Sequence, residues 1–479
     1  MSVSRVEEII SHSNVHFGTS GARGLVADMT NEVCYTYAAA FIQNLAGNVS
    51  QFVLGHDLRP SSPSIAAACA AAIEDSGCKV IYAGALPTPA LAFYAAQLRL
   101  PALVVTGSHI PFDRNGIKFY RVEGEISKAD EVAMLSAMID LPGKITPAIL
   151  PEVDERAGQA YIQRYLDFFG SDALEGVRVA VYEHSSVARD LLRSILEGLG
   201  ATVISLGRTD IFVPIDTEAV RSEDVAQARK WAGENSFDAI VSTDGDADRP
   251  LIGDERGQWL RGDVVGILCA QYLCADVVVT PVSSNTAVEK CGSFKSVVRT
   301  RIGSPYVIAG MESALTQNAI VVGYEANGGF LLGSDVIRQS RYMAALPTRD
   351  AILPMLALLC LASERQCKLS ELTKDFPARY TASDRLQNFA AKKSQEILAR
   401  MLEEPLLLNS TLAPQSGRVL SVDQTDGLRV TFESGDIVHL RPSGNAPELR
   451  CYSESDSPEL AQMLCNACLG RVRIQAQTG

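Results

Sequence analysis

The chain has no long hydrophobic run. Its longest apolar stretch, 351–362, is a dozen residues interrupted by Pro354, too short for the roughly 20 residues a membrane helix needs. The first ten residues carry Arg5, Glu7 and Glu8 and lack the apolar core of a secretory leader, which predicts a cytoplasmic protein. An excess of positive charge is also missing. Against 43 Lys and Arg stand 56 Asp and Glu, a net charge of −13, and such a field repels nucleic acid and acidic membranes. An anionic substrate must therefore be drawn in by local clusters of Arg and Lys. Paired cysteines are scarce as well. The 11 Cys are an odd number, mostly set inside apolar segments. Only Cys465 and Cys468 have the C-x-x-C spacing, without a second pair or a nearby His. That argues against a disulfide framework or zinc site and for buried free thiols in a reducing compartment.

What is present is an ordinary globular composition, 47% apolar and 21% charged over 479 residues. That length predicts three or four domains. Helix-like 31–46, strand 52–55, helix 63–75, strand 79–82, helix 90–98 and strand 102–105 alternate, which argues an α/β domain with a mostly parallel or mixed sheet. Residues 141–155 carry three Pro and a Gly and read as a boundary. The sequence strand, Ser-rich turn, helix at 53–72 recurs at 177–199 and 277–290, a shared plan for three domains. A short helix is expected over 369–375, and Pro377 marks a further boundary. The last part changes texture, with a helix over 387–402, strands at 418–422, 427–433, 437–440 and 449–452, and a closing helix over 458–471.

Five stretches carry chemistry. Residues 16–24, H-F-G-T-S-G-A-R-G, make a backbone able to approach an anion, with Arg23 adding a cation. Residues 106–120 follow a buried strand and present Ser108 where open α/β sheets bind ligands, with His109 beside it and Lys118 ten residues on. Between them lies a Pro-Phe-Asp-Arg-Asn-Gly loop. A hydroxyl near such groups suits a nucleophile or phosphate carrier, or else merely caps a turn. Asp244, Asp246 and Asp248 alternate after the strand 239–241, and three carboxylates so close require a cation; hard oxygen ligands select Mg²⁺ or Ca²⁺. An EF-hand is excluded because Arg249 stands where its Gly must be and a strand precedes the loop. Arg249 could neutralise a phosphate beside the metal. Glu325 and Asn327, in G-Y-E-A-N-G-G, have the donors and acceptors to read vicinal hydroxyls. Arg441, Ser443, the Gly444 amide and Asn445, in R-P-S-G-N-A-P, form a turn fit to clamp a phosphate.

Taken in order, F-G-T-S-G-A-R-G, T-G-S-H-x-P…N-G-x-K, D-G-D-A-D-R, G-Y-E-A-N-G-G and R-P-S-G-N-A-P resemble the motifs of the α-D-phosphohexomutase superfamily over essentially the whole chain. The overall pattern is most like its bacterial phosphomannomutase/phosphoglucomutase group. The resemblance implies four domains around a central cleft: three α/β/α domains with mixed sheets (1–153, 154–258, 259–376) and a smaller α+β domain (377–479). It implies that Ser108 is the phosphoserine carrier and that Asp244, Asp246 and Asp248 hold Mg²⁺ with a phosphoserine oxygen. Arg23, His109, Lys118 and Arg249 would line the transfer site, with Lys118 a candidate for proton transfer. Glu325 and Asn327 would read the sugar, and Arg441, Ser443, Gly444 and Asn445 would hold the phosphate not being transferred. The implied reaction interconverts hexose 6-phosphate and hexose 1-phosphate, of mannose first and glucose second, through a hexose 1,6-bisphosphate that also acts as activator. Three departures stand out. Ile110 replaces the usual Asn, Asn327 a Ser, and Gly329 a His; Glu-Ala-Asn-Gly is the form familiar from N-acetylglucosamine phosphate mutases. A mutase of glucosamine or N-acetylglucosamine phosphate, a non-catalytic sugar-phosphate-binding protein and a Mg²⁺-dependent phosphatase stay open beside the mannose reading, as do a monomer and a dimer.

Overall fold

A computed structural model describes residues 2–18, 20–45, 47, 49–316, 319–443 and 448–478. It divides into two compact units, residues 1–274 with 327–372, and residues 275–326 with 373–479.

The first unit opens with a mixed sheet ordered His16–Phe17, Ala22–Leu25, Arg114–Arg121, Ala102–Val105, Gln51–His56, Lys79–Ala85. Gln51–His56 pairs parallel with both Ala102–Val105 and Lys79–Ala85, while Arg114–Arg121 runs antiparallel to its two neighbours. Helices Asn31–Leu45, Ser62–Asp75 and Thr88–Leu98 supply the crossovers between parallel strands. The Ala-rich Ser62–Asp75 buries Ala66, Ala68, Ala70, Ala71 and Ala72 against the sheet, and its Pro63 sits where a missing N–H costs nothing. A second sheet is ordered Thr202–Leu206, Arg178–Tyr182, Ala239–Thr243, Pro250–Gly253, with only the last strand antiparallel. The unit also holds the antiparallel pair Phe330–Leu332 and Leu346–Asp350, and helices Gly262–Tyr272 and Ile352–Arg365. Among the described residues no helix is long and apolar enough to cross a membrane.

In the second unit, Val277–Pro281 pairs parallel with Ser296–Thr300 and Val321–Tyr324. An antiparallel sheet follows, ordered Tyr380–Gln387, Glu448–Ser455, Ile437–Pro442, Leu428–Phe432, Val419–Asp423. Helices Ala391–Glu403, Pro405–Leu412 and Pro458–Thr478 accompany it. Cys451, Cys465 and Cys468 are all free and wholly buried in its apolar core, as expected of thiols used as small hydrophobes.

Several expectations are corrected. Tyr380–Gln387 is a strand, and the helix expected over 387–402 begins only at Ala391. In that strand only Ala382 and Leu386 are buried, too sparse an alternation to read. The helix expected over 369–375 is one short 3₁₀ turn, Leu369–Glu371. Of the three recurring strand–turn–helix units, the third carries only the four-residue helix Ala287–Lys290. Arg114, Asn115 and Gly116 belong to a strand, not to a loop, and Arg441 and Pro442 end a strand before the expected turn begins.

Candidate active site

The strand Ala102–Val105 is apolar throughout and buried throughout, because neighbouring strands flank it on both edges. Where the chain leaves it, Ser108 adopts φ 54° with no exposure at all. A non-glycine residue in that region is held by its surroundings. Thr106 Oγ1 accepts a hydrogen bond from the Ser108 amide (2.8 Å) and donates one to Asp57 Oδ2 (2.8 Å). The guanidinium of Arg59 supplies the rest. Its Nη2 donates to the carbonyls of Ser108 (2.9 Å) and Ile110 (2.6 Å). Its Nη1 donates to those of Pro111 (2.7 Å) and Arg114 (2.8 Å), and its Nε to Asp57 (3.2 Å). All five N–H groups are thus engaged, and the Phe212 ring lies 4.1 Å from the guanidinium carbon.

The wholly buried strand Ala239–Thr243 delivers the acidic loop opposite Ser108. Gly245 is needed there, since a Cβ would lie 2.8 Å from the Ser108 carbonyl oxygen. Asp244, Asp246 and Asp248 are no more than 1% exposed, and one carboxylate oxygen of each lies within 4.8 Å of the others. Ser108 Oγ donates to Asp244 Oδ2 at 2.6 Å, while Asp244 Oδ1 accepts from the amides of Asp248 and Arg249. Asp246 Oδ2 accepts from Thr88 Oγ1 and Lys118 Nζ, both at 2.6 Å. Asp248 Oδ2 accepts from Lys118 Nζ (2.7 Å) and Arg349 (2.7 Å to Nη2). The other oxygens, Asp246 Oδ1 and Asp248 Oδ1, are buried and accept no hydrogen bond. Buried polar atoms without partners call for an explanation. Arg249 Nε lies 3.6 Å from Asp248 Oδ1 as an ion pair without a hydrogen bond, and these two carboxylate oxygens beside Asp244 and a serine hydroxyl are an all-oxygen donor set, which fits Mg²⁺.

Burial and the neighbouring charges pull these groups in opposite directions. Burial, then the charges of Asp246 and Asp248, push the Asp244 carboxyl well above its usual range. Burial acts the same way on Asp248, but Arg349, Lys118 and Arg249 outweigh it and hold that carboxyl low. Burial opposes the charge on Lys118, and Asp246 and Asp248 outweigh it, so the ammonium's pKa is raised. Arg23, on the strand opposite Gly116, is lowered to about 10 by desolvation and by the charges of Arg249 and Arg349. His109 Nδ1 accepts from Arg249 Nη1 at 2.9 Å and lies 3.3 Å from Ser108 Oγ. Since Arg only donates, this nitrogen carries no proton in the arrangement, and the Ser108 proton points to Asp244.

The structure therefore brings together Ser108, His109, Lys118, Arg23, Arg249 and the three Asp. Asn327, in the same unit, is buried; its carbonyl accepts from Thr217 Oγ1 (2.7 Å) and its Oδ1 from the Gly329 amide (2.9 Å). Glu325, Arg441 and Ser443 belong to the second unit. Glu325 is buried just past the strand Val321–Tyr324. Arg441 pairs with Asp426 at 2.9 Å, and the Ser443 amide donates to the Glu448 carbonyl. Gly444 and Asn445 lie outside the described residues. Sequence reasoning missed Asp57, Arg59, Thr88 and Arg349. A D-x-R pair in the polar turn after the strand Gln51–His56 was the one available signal; Arg349 had none, because its partner is 101 residues away.

Comparison with known proteins extends the picture. Family models described as phosphoglucomutase/phosphomannomutase match in four blocks: α/β/α domain I over residues 14–140, domain II over 159–257, domain III over 261–380 and the C-terminal domain over 367–469. A phosphomannomutase of Salmonella muenchen is 47% identical over 470 residues, covering 97% of each chain. One of Sinorhizobium fredii is 45% identical, covering 94% of this chain and 96% of its own. Among solved structures, a phosphoglucomutase/phosphomannomutase family protein from Burkholderia thailandensis superposes with a TM-score of 0.74 at 18% identity, covering 100% of this chain and 99% of that one.

Proposed function

The chain belongs to the phosphoglucomutase/phosphomannomutase family, with its three α/β/α domains and C-terminal domain, and we propose that it interconverts mannose 6-phosphate and mannose 1-phosphate with Ser108 as phosphoryl carrier. The name carried by both close relatives favours mannose. The observation that carries the assignment is the buried Ser108 hydroxyl at 2.6 Å from Asp244 within a carboxylate triad that keeps two oxygens free of hydrogen bonds.

In this reading the phosphoryl group on Ser108 passes to the free hydroxyl of the bound hexose phosphate. The P–O bond to Ser108 breaks as the bond to the sugar oxygen forms. The resulting 1,6-bisphosphate returns its other phosphoryl group to Ser108, so a trace of bisphosphate keeps the enzyme charged. Phosphoryl transfer of this kind is catalysed chiefly by charge and positioning. Mg²⁺, held by Asp244, Asp246, Asp248 and a phosphoserine oxygen, would supply positive charge at the transferring group. Arg23, Arg249 and Lys118 supply more, and Asp244 accepts the Ser108 proton when the serine is rephosphorylated. Lys118, between Asp246 and Asp248, adds counter-charge and is the candidate for moving the proton released by the sugar hydroxyl toward the leaving Ser108 oxygen. Glu325 and Asn327 would read sugar hydroxyls, and Arg441, Ser443, Gly444 and Asn445 the distal phosphate. Domain boundaries near 153, 258 and 376 and a cytoplasmic location belong to the same proposal.

A phosphorus NMR time course tests it, with Mg²⁺, a trace of hexose 1,6-bisphosphate and the 1- or 6-phosphates of mannose, glucose, glucosamine and N-acetylglucosamine in turn. Fastest interconversion of the mannose phosphates, without free phosphate, is expected. A faster amino-sugar reaction would move the substrate to that class. Accumulating inorganic phosphate would make the chain a phosphatase, and silence with all four a binding protein.

A further inference from the structure

Position 329 lies in a buried stretch of the first unit and holds no side chain. A Cβ there would sit 2.7 Å from Arg349 Cδ and 3.0 Å from its Cγ, so the stem of Arg349 crosses the space a side chain at 329 would fill. The crossing follows from strand pairing: Phe330–Leu332 runs antiparallel to Leu346–Asp350, with Phe330 opposite Asp350. Both neighbours of Arg349 are anchored. Thr348 Oγ1 pairs with Tyr120 Oη at 3.1 Å, and the Asp350 carboxylate accepts from the hydroxyls of Tyr161 and Tyr165. From this rigid support Arg349, 4% exposed, reaches Asp248 Oδ2 with Nη2 at 2.7 Å and Nε at 3.1 Å. Lys118 Nζ holds the same oxygen at 2.7 Å. Oδ2 is thus occupied by two cations, while Oδ1 accepts no hydrogen bond and has only Arg249 Nε near it, at 3.6 Å.

We propose that Arg349, admitted by Gly329, is a positioning residue of the transfer site that fixes which oxygen of Asp248 faces a divalent cation. The two residues work as one device. The missing side chain at 329 makes the channel, and the guanidinium at 349 fills it and orients the carboxylate. Arg349 also adds a fourth cation to Arg23, Lys118 and Arg249 around three carboxylates. That excess weakens the hold on a metal ion and strengthens it on a phosphoryl group. Removing Arg349 should therefore split two quantities that ordinary structural damage would lower together.

The test uses the full chain, Mn²⁺ titration followed by electron paramagnetic resonance, and turnover. Using turnover as one readout rests on the mutase activity proposed above; the Mn²⁺ titration does not. Arg349→Ala should bind Mn²⁺ more tightly by about fivefold while turnover falls by about a hundredfold. Arg349→Lys, which keeps the charge, should leave Mn²⁺ affinity near that of the parent. Gly329→Ala should shift both readouts in the direction of Arg349→Ala, and should add less once Arg349 is Ala, because its methyl group then meets only Asn327 Oδ1, 3.1 Å away. Unchanged Mn²⁺ affinity in Arg349→Ala, a loss of affinity in step with turnover, or additive effects of the two substitutions would each overturn the proposal. Should Arg349→Ala not fold, the Gly329→Ala and Arg349→Lys titrations carry the same decision. A parent protein without mutase activity would instead sink the functional reading and leave the Mn²⁺ comparison standing.

Discussion

The surroundings of Ser108 and the core of the carboxy-terminal sheet are both dry, yet they are filled with opposite materials. Around Ser108 the residues no more than 1% exposed include Asp57, Arg59, Lys118, Asp244, Asp246 and Asp248. In the terminal domain the wholly buried residues include Leu428, Val430, Phe432, Val438, Leu440, Leu449, Cys451, Cys465 and Cys468. Apolar cores tolerate exchange among residues of similar volume, each contributing by its own burial. A buried set of charges is stable only as a set, since removing one member strands its partner. The first region is therefore specific and fragile and suits chemistry; the second is robust and suits support.

The largest test of this contrast is Ser108→Ala, which should lower turnover by at least about a thousandfold and, by taking the donor from buried Asp244 Oδ2, lower unfolding stability by about 1–3 kcal/mol. A mutant retaining a tenth of parental turnover would displace Ser108 as carrier. Next comes Arg59→Lys. An ammonium has three donors, so at least two buried acceptors lose their partner, at a cost of about 2–4 kcal/mol in urea unfolding. Phosphorylation of Ser108 from bisphosphate, followed by intact mass, should slow as well. A stability change below about 0.5 kcal/mol, the range of ordinary surface substitutions, would show that the carbonyl cradle is dispensable.

Acid tests the two regions together. Burial lowers the pKa of His184 and of His439 to about 4. The unfolded chain takes up protons at these residues near pH 6.5, before the folded one does. Their stabilising contribution is therefore full above that pH and is lost as pH falls from 6.5 toward 4, by up to about 3 kcal/mol for each. His439→Asn should flatten that slope in pH-dependent unfolding, and an unchanged slope would remove His439 from the account. Mg²⁺ at a hundred times its dissociation constant should stabilise the parent by about 2.7 kcal/mol. Asp246→Asn should lose most of that gain, and an equal gain in both proteins would place the metal elsewhere. The smallest effect belongs to the apolar region. Cys468→Ala should cost about 1 kcal/mol and leave turnover and the Mg²⁺ response intact; a lowered turnover would show that the terminal core is coupled to the chemistry.

Legibility followed the same division. Ser108 and the three Asp could be read because each group lies within one loop after one apolar strand, so the chemistry is written in adjacent letters. The strand Ala102–Val105 was legible residue for residue, since a four-residue apolar run between Pro101 and Thr106-Gly107 has few alternatives. The strand Tyr380–Gln387 was not, because it is polar at most positions and is held by its register with Glu448–Ser455. Arg59 was visible only as part of a polar turn. Four of its five acceptors are backbone carbonyls, and carbonyls have no letter.

The sequence by itself determined which chemical groups stand at the strand ends: a carrier hydroxyl, three carboxylates, and enough cations to bind phosphate on a chain that is acidic overall. Only the tertiary structure decided which cation meets which carboxylate. Lys118 bridges Asp246 and Asp248, Arg349 takes Asp248, and Arg249 pairs with Asp248 while donating to His109. The physical reason is that charge pairing in a dry interior depends on distances of a few ångströms, and those are set by how strands far apart in the chain are brought together.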